Sequence, residues 1–105
     1  MKIPKEFKIV GFTIQVEIHN ILPDDIFGCF ESTENKIYLA SSIKSGFSGT
    51  IVQLSEAQIE NTFWHEFVHV LQFYLGLDLD EQQAQSFGNL LFEYNNTFIC
   101  FLHFK

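Results

Sequence analysis

Two histidines and a glutamate at fixed spacing are the residues best suited to do chemistry. Residues 65–69 read HEFVH and fit the pattern H-E-x-x-H. In a helix, four residues advance about 6 Å and turn by a net 40°, so both imidazoles project from one face. His65 and His69 can then bind one metal ion at about 2.0–2.1 Å per nitrogen, as zinc sites do. Glu66 lies about 100° round from His65, beside such an ion, where it can take a proton from water.

The pattern has an alternative interpretation, which is an exposed histidine pair on a solvated helix face. Composition alone would produce it in about 1% of chains like this one. The helix around it favours a site, because Gln58, Thr62 and Gln72 share the histidine face while most aromatic and aliphatic residues lie opposite. Phe73 is the exception, since it lies near the site side and either walls the site or packs under the next helix.

A catalytic zinc site needs a third protein ligand besides the two histidines. The downstream candidates are Asp78, Asp80, Glu81 and Glu93. We favour Glu81 because it opens the second predicted helix, just after a glycine turn that can fold this helix back across the first. Asp80 is better placed as the helix cap, and Glu93 lies three turns further on. A solvated acid at a helix start, favoured by the helix dipole, is the alternative for Glu81.

The first helix has clear boundary signals. Ser55 and Gln58 form a predicted capping box, in which each side chain bonds the other residue's backbone. The helix is expected to run to about Leu75, with Gly76 as its left-handed cap. This places the two histidines in the middle of the helix.

The second helix is predicted to begin after Asp80, with Gln83 in the reciprocal capping position. Asn95-Asn96 is expected to end it. Residues 97–105, TFICFLHFK, are almost wholly apolar, so periodicity leaves a final strand and a short helix both open.

The first half of the chain reads as strands. Residues 7–19 alternate between apolar and polar, with Gly11 at a turn or bulge. Residues 26–40 predict a hairpin, whereas residues 41–50 are small and rich in Gly and Ser, which predicts a loop. We therefore expect one α+β domain over residues 1–105, with an antiparallel or mixed sheet of about three strands packed on two helices.

These motifs together resemble the minimal gluzincin metallopeptidases. The H-E-x-x-H of residues 65–69, followed by EQQAQSFGNLL at residues 81–91, is similar to that family's second-helix pattern E-x-x-A-x-x-F-A-x-x-L-L. The predicted hairpin also resembles the family's G-x-Y-D…x-I-x-I arms. The family includes phage-repressor-cleaving and stress-regulator peptidase domains and small phage-type proteins, and the resemblance covers roughly residues 7–94.

The resemblance implies a specific set of roles. His65, His69 and Glu81 would bind zinc, and Glu66 would be the general base. Gly88 stands where the family has alanine, which is expected to be a minor change. The helix that precedes the sheet in larger members and their Pro-bearing tail are not matched, and no regulatory domain is attached, so their biological role is not carried over.

The sequence predicts a zinc-dependent metallopeptidase acting on a peptide or protein. The alternatives are a zinc-binding accessory protein of a phage or mobile element without turnover, and a structural helical hairpin with coincidental histidines. An edge strand at Lys36–Ala40 is expected to hold an extended peptide. Possible oxyanion donors are Tyr38, Tyr74, Tyr94 and His103, all more typical of packing. Thr62 is either a support for a ligand or a plain polar-face residue.

Composition excludes other classes of function. The net charge is −7, with six lysines and no arginine, which argues against a nucleic-acid partner. No apolar run approaches the roughly 20 residues of a membrane span, and no signal sequence is evident, so a cytoplasmic protein is expected. Cys29 and Cys100 are too few for a disulfide framework and are expected to be small buried residues.

Overall fold

The computed structural model describes residues 3–103, and side-chain environments for residues 3–97. The chain is α+β, as predicted, with six strands and two helices among these residues. A short 3₁₀ turn at Pro23–Asp25 separates the second and third strands. In chain order the elements are β1 (Glu6–Ile9), β2 (Phe12–His19), β3 (Gly28–Glu31), β4 (Lys36–Ala40), β5 (Ser42–Lys44), β6 (Ile51–Gln53), α1 (Glu56–Tyr74) and α2 (Glu81–His103).

The main sheet is mixed and has four strands in the order β1-β2-β4-β3. β2 and β4 are parallel, while the β1–β2 and β3–β4 pairs are antiparallel hairpins. The predicted break at Gly11 is confirmed, since that glycine has φ +83 in the turn between β1 and β2. This turn divides residues 7–19 into two strands, so the sheet has one strand more than expected.

The segment 41–50 was predicted as loop, and this is wrong for its first part. Ser42–Lys44 forms β5, which pairs antiparallel with β6 in a separate two-stranded sheet. The pairing sets Ile43 opposite Val52, and only the Gly- and Ser-rich tip between the strands is a turn. Three residues are too few to show an alternating pattern, and the strand forms because it pairs with β6.

The open edge near the helices belongs to β3, so the prediction of an edge at Lys36–Ala40 is wrong. β4 lies between β2 and β3. Ala40 N–H donates to the carbonyl of Phe27 (2.9 Å). Because every second residue pair of an antiparallel ladder is hydrogen-bonded, Tyr38 and Cys29 form the next hydrogen-bonded pair. The backbone groups of Gly28 and Phe30 therefore point away from β4.

The core lies between the sheet and α1. Its fully buried members come from both layers and include Ile14, Ile37, Leu39, Phe63 and Val70. Phenylalanine rings fill the space around them, as where Phe7 meets Phe63 and Phe67. This packing fixes α1 against the sheet, and with it the histidines on the opposite side of the helix.

Both predicted boundaries of α1 are confirmed. The Ser55 hydroxyl accepts from the Gln58 N–H and the Gln58 side chain accepts from the Ser55 N–H, which is the capping box. At the other end Gly76 has φ +70, and Leu77 N–H donates to the Gln72 carbonyl (2.8 Å). This is the bonding of a Schellman motif, and it reverses the chain toward α2.

The predicted end of α2 at Asn95-Asn96 is wrong, because the helix continues to His103. The Asn96 amide donates to the carbonyl of Phe92 (2.8 Å), so this side chain bonds along the helix instead of ending it. The continuation resolves the choice left open for the tail up to His103, and residues 104–105 lie outside the described residues. Within the described chain, neither helix is both long and apolar enough to cross a membrane.

Candidate metal centre

The two histidines project from the middle of α1 into the angle between α1 and α2. His69 is buried, and His65 is half-buried. Their rings lie close, with centroids 5.0 Å apart. The simple picture of a solvated histidine face is wrong, because α2 folds back over it and β3 lies beside it. Burial holds both rings in place.

Glu81 brings a carboxylate to both rings from the first turn of α2. Its Oε2 lies 3.2 Å from Nε2 of His65, and its Oε1 lies 2.7 Å from Nε2 of His69. Two ligands about 2.05 Å from one ion at tetrahedral angles are about 3.3 Å apart. The His65 distance meets that value. The His69 distance is of hydrogen-bond length, and the exposed Glu81 side chain has room to open it.

The hydrogen bonds around His69 determine which of its nitrogens can bind a cation. Its Nδ1 lies 2.7 Å from Oε1 of Gln72, whose Nε2 donates to the backbone carbonyl of Asp80 (3.1 Å). A carbonyl can only accept, so the Gln72 amide must present its oxygen to His69. The ring therefore donates from Nδ1, and in the neutral ring the Nε2 lone pair faces the Glu81 carboxylate. This arrangement leaves the Nε2 lone pair of His69 and the Glu81 carboxylate facing each other, so that both can bind the same cation.

Glu66 lies beside this group but in a different environment from Glu81. Its ligand atom lies within 4.8 Å of those of His65 and His69. Burial raises the pKa of its carboxyl group, while the two imidazoles and a hydrogen bond from the Phe30 backbone lower it. Both carboxylates are near the rings, but only Glu81 faces both Nε2 atoms directly. Glu66 therefore belongs with the two histidines to a group that could hold a metal ion, while Glu81 is the carboxylate that contacts both rings.

A cleft of about 590 Å³ opens beside His65 and Glu66. Its walls come from the segment before β3, from α1 and from α2. Gly28 has no side chain at a point where a Cβ would lie 2.7 Å from the Thr62 methyl and 3.0 Å from the Tyr38 carbonyl. This glycine lets β3 run close to α1. The remaining lining residues are Asp25, Ile26, Phe27, Gln58, Asn61 and Gln85.

Gly88 is the second close approach, and it bears directly on the site. A Cβ there would lie 2.9 Å from the backbone nitrogen of His65 and 3.0 Å from its Cα. The expectation that glycine for alanine is a minor change is therefore wrong here. The bare backbone of α2 at Gly88 sets how closely the helix that carries Glu81 approaches the helix that carries His65.

The other acids considered as ligands lie elsewhere. Asp80 caps α2, since its Oδ1 accepts from the Gln83 N–H (2.9 Å), as predicted. The Gln83 side chain accepts instead from Gln72 (2.8 Å). Asp78 is exposed in the connection between the helices, and Glu93 is exposed three turns along α2.

The tyrosines named as oxyanion donors are engaged away from the cleft. Tyr38 donates to Glu34 (2.6 Å), which raises its pKa to about 12. Tyr74 donates to Asn35 and stacks on Phe12. Tyr94 is exposed on α2. The side chain of His103 lies outside the described residues.

The remaining predicted side chains have structural surroundings. The Thr62 hydroxyl donates to the Gln58 carbonyl (3.0 Å), so it bonds along its own helix. Phe73 is not among the residues that line the cleft, and its ring packs edge-on against Phe30 of β3. Cys29 is a free, half-buried thiol whose pKa burial raises. The side chain of Cys100 lies outside the described residues.

Sequence reasoning missed three contributors to the site, namely Gln72, Gly88 and the backbone of Phe30. Gln72 is three residues after His69 on the predicted metal face, a spacing that signals contact with His69 but does not reveal the partners on α2.

No family model, curated protein or solved structure matches this chain.

Proposed function

We propose that this chain is a zinc-dependent metallopeptidase, with zinc held by His65, His69 and Glu81 and with Glu66 as the general base. The observation that carries the proposal is the position of Glu81, whose two oxygens face Nε2 of both histidines at 3.2 and 2.7 Å. Two imidazoles and one carboxylate form the protein ligand set of several catalytic zinc sites, which leave a fourth position for water or substrate. The gluzincin resemblance of the sequence supports the same set.

In the proposed mechanism Glu66 moves the protons of the reaction. When bound, zinc supplies Lewis acidity, which acidifies a water molecule and polarises a peptide carbonyl. A carboxylate oxygen of Glu66 accepts the proton of the attacking water and then delivers it to the nitrogen of the leaving amine. The burial of Glu66 next to the two histidines keeps its carboxylate within reach of the site.

The strand beside the site supports an extended peptide as the substrate. The outward backbone groups of Gly28 and the outward carbonyl of Phe30 can pair with an extended peptide, which adds as a further strand. The adjoining cleft then receives one of its side chains. Asp25 and Glu66 line that cleft, and no lysine is among its lining residues. Neutral or basic side chains are therefore favoured there over acidic ones.

A zinc-binding accessory protein without turnover is the second candidate. The observation that favours it is the length of β3, which has four residues and so offers few backbone groups to a peptide. The presence of Glu66 favours the enzyme, because zinc binding needs only the three ligands.

Glu66→Gln separates these candidates. We expect purified protein to hold one zinc per chain and to cleave an unfolded protein substrate. The variant keeps its zinc but cleaves about 10²–10⁴ times more slowly, the usual contribution of a general base. Glu93→Gln, which removes an exposed acid of α2, leaves both properties unchanged.

Each other outcome has a definite meaning. Zinc binding without cleavage by the parent protein supports the accessory protein. Cleavage by Glu66→Gln at the parent rate contradicts the mechanism. Failure of the parent protein to bind zinc overturns both candidates.

A further inference from the structure

Gln72 is a buried polar side chain next to the candidate site, with 1% of its surface exposed. A glutamine is seldom so deeply buried unless its polar atoms are paired. Here its side chain and its backbone carbonyl are both bonded, to His69 on α1 and to residues of the reversal and the first turn of α2.

The bonds of Gln72 connect a candidate ligand on α1 to the start of α2. Its Oε1 lies 2.7 Å from Nδ1 of His69. Its Nε2 donates both protons, one to the Asp80 carbonyl (3.1 Å) and one to Oε1 of Gln83 (2.8 Å). Its own backbone carbonyl accepts from the N–H of Leu77 (2.8 Å).

The orientation of this amide is fixed by the backbone. If the Gln72 amide were flipped, its oxygen would face the carbonyl of Asp80 and its NH₂ would face His69. The Gln83 amide can turn to suit either arrangement, but a carbonyl oxygen never donates. His69 therefore donates to Gln72, and Gln72 donates to groups at the start of α2.

We propose that Gln72 is a positioning residue that aligns two zinc ligands at once. It holds the ring of His69 with Nδ1 as donor and Nε2 directed at Glu81. It also ties the residue before Glu81 to α1, so that the carboxylate meets the histidines. This inference rests on the proposed zinc site and adds a residue outside its ligand set.

Three substitutions separate the two parts of this role. Gln72→Met keeps the length of the side chain but removes every hydrogen bond that the side chain makes. Gln72→Glu keeps an acceptor for His69 but sets an oxygen against the Asp80 carbonyl. Gln83→Met keeps the bond to His69 and removes one of the two bonds to α2. Gln82→Met, at an exposed neighbouring position, is the control.

Two measurements report on these variants. Zinc affinity, from competition with a chelator, is expected to fall about 10–100-fold in Gln72→Met, the usual effect of losing a partner of a metal-ligating histidine. It also falls in Gln72→Glu, falls less than about tenfold in Gln83→Met, and stays unchanged in Gln82→Met. Proton NMR of the metal-free protein reports separately on the His69 ring N–H, which is expected to be slow to exchange in the parent, in Gln72→Glu and in Gln83→Met, and to be lost in Gln72→Met.

The outcomes distinguish this proposal from the proposed function. If the parent binds zinc and Gln72→Met binds it equally well, the positioning role is wrong. If the parent binds no zinc, the proposed function fails, while the ring N–H signal still decides whether Gln72 orients His69. If Gln72→Met does not fold, Gln83→Met decides, because unchanged zinc affinity in that variant contradicts a role for the bonds between Gln72 and α2.

Discussion

Helices α1 and α2 meet along a line of contact, the seam, whose two sides are built in different ways. On one side lie His65, His69 and Gln72, where the His69–Gln72 hydrogen bond has a defined donor and acceptor and both rings contact Glu81. On the other lies an apolar groove of about 330 Å³, lined by Val68, Leu71, Phe87, Leu90, Leu91 and Tyr94. Directional bonds specify position to a fraction of an ångström, whereas apolar contacts tolerate change if volume and pattern are kept. Substitutions should therefore affect metal binding on the first side and only stability on the second.

Burial strengthens this contrast. Among the described residues, no buried side-chain nitrogen or oxygen lacks a hydrogen-bond partner. The groove side, in contrast, leaves large apolar side chains in water, with Leu90 60% exposed. A polar atom that loses its partner on the site side stays unpaired away from water, which costs about 1–3 kcal/mol. An exposed apolar side chain has little burial to lose.

The largest effect is expected from the ligand that crosses the seam. Glu81→Gln removes the negative charge that faces both imidazoles and should lower zinc affinity more than 100-fold, since losing a ligand exceeds the loss of a supporting bond. Competition with a chelator measures the change. Glu93→Gln is the matched control, because it removes the same charge from an exposed position of α2 and leaves the affinity unchanged. If Glu93→Gln lowered the zinc affinity and Glu81→Gln did not, the third ligand would have been assigned to the wrong acid.

A smaller effect is expected where the two helices touch. Replacing glycine by alanine inside a helix normally adds about 1 kcal/mol to stability. At Gly88 the new Cβ would lie 2.9 Å from the His65 backbone nitrogen, so Gly88→Ala should lower the free energy of unfolding by about 1–3 kcal/mol. Urea denaturation measures it, with Ser86→Ala, exposed on the same helix, as the control within about 0.5 kcal/mol. Stabilisation by Gly88→Ala would mean that the helices have room to separate.

The sequence predicted those features of this region that local chemistry determines. The capping box at Ser55, the reversal at Gly76 and the cap at Asp80 each depend on residues a few positions apart, and all three are confirmed. The meeting of Glu81 with the histidines was predicted from the glycine turn, and the structure brings these side chains together.

The features that sequence reasoning missed depend on contacts between distant segments. The role of Gly88 emerges only when α2 lies against His65. The position of β3 at the open edge depends on β4 pairing in parallel with β2, for which the alternation of residues 7–19 carries no signal. Such contacts are fixed by packing, so a single sequence does not reveal them.

The smallest effect is expected on the groove side. Leu90→Gln exchanges an apolar for a polar side chain at a position already 60% exposed, so the free energy of unfolding should fall by less than about 1 kcal/mol. Zinc affinity should not change, because Leu90 contributes no bond to the candidate ligands. Urea denaturation and chelator competition on the same preparation test both statements. A loss of zinc affinity as large as that expected for Gln72→Met would contradict the assignment of metal binding to one side and stability to the other. It would mean that apolar packing on the groove side also determines where Glu81 lies.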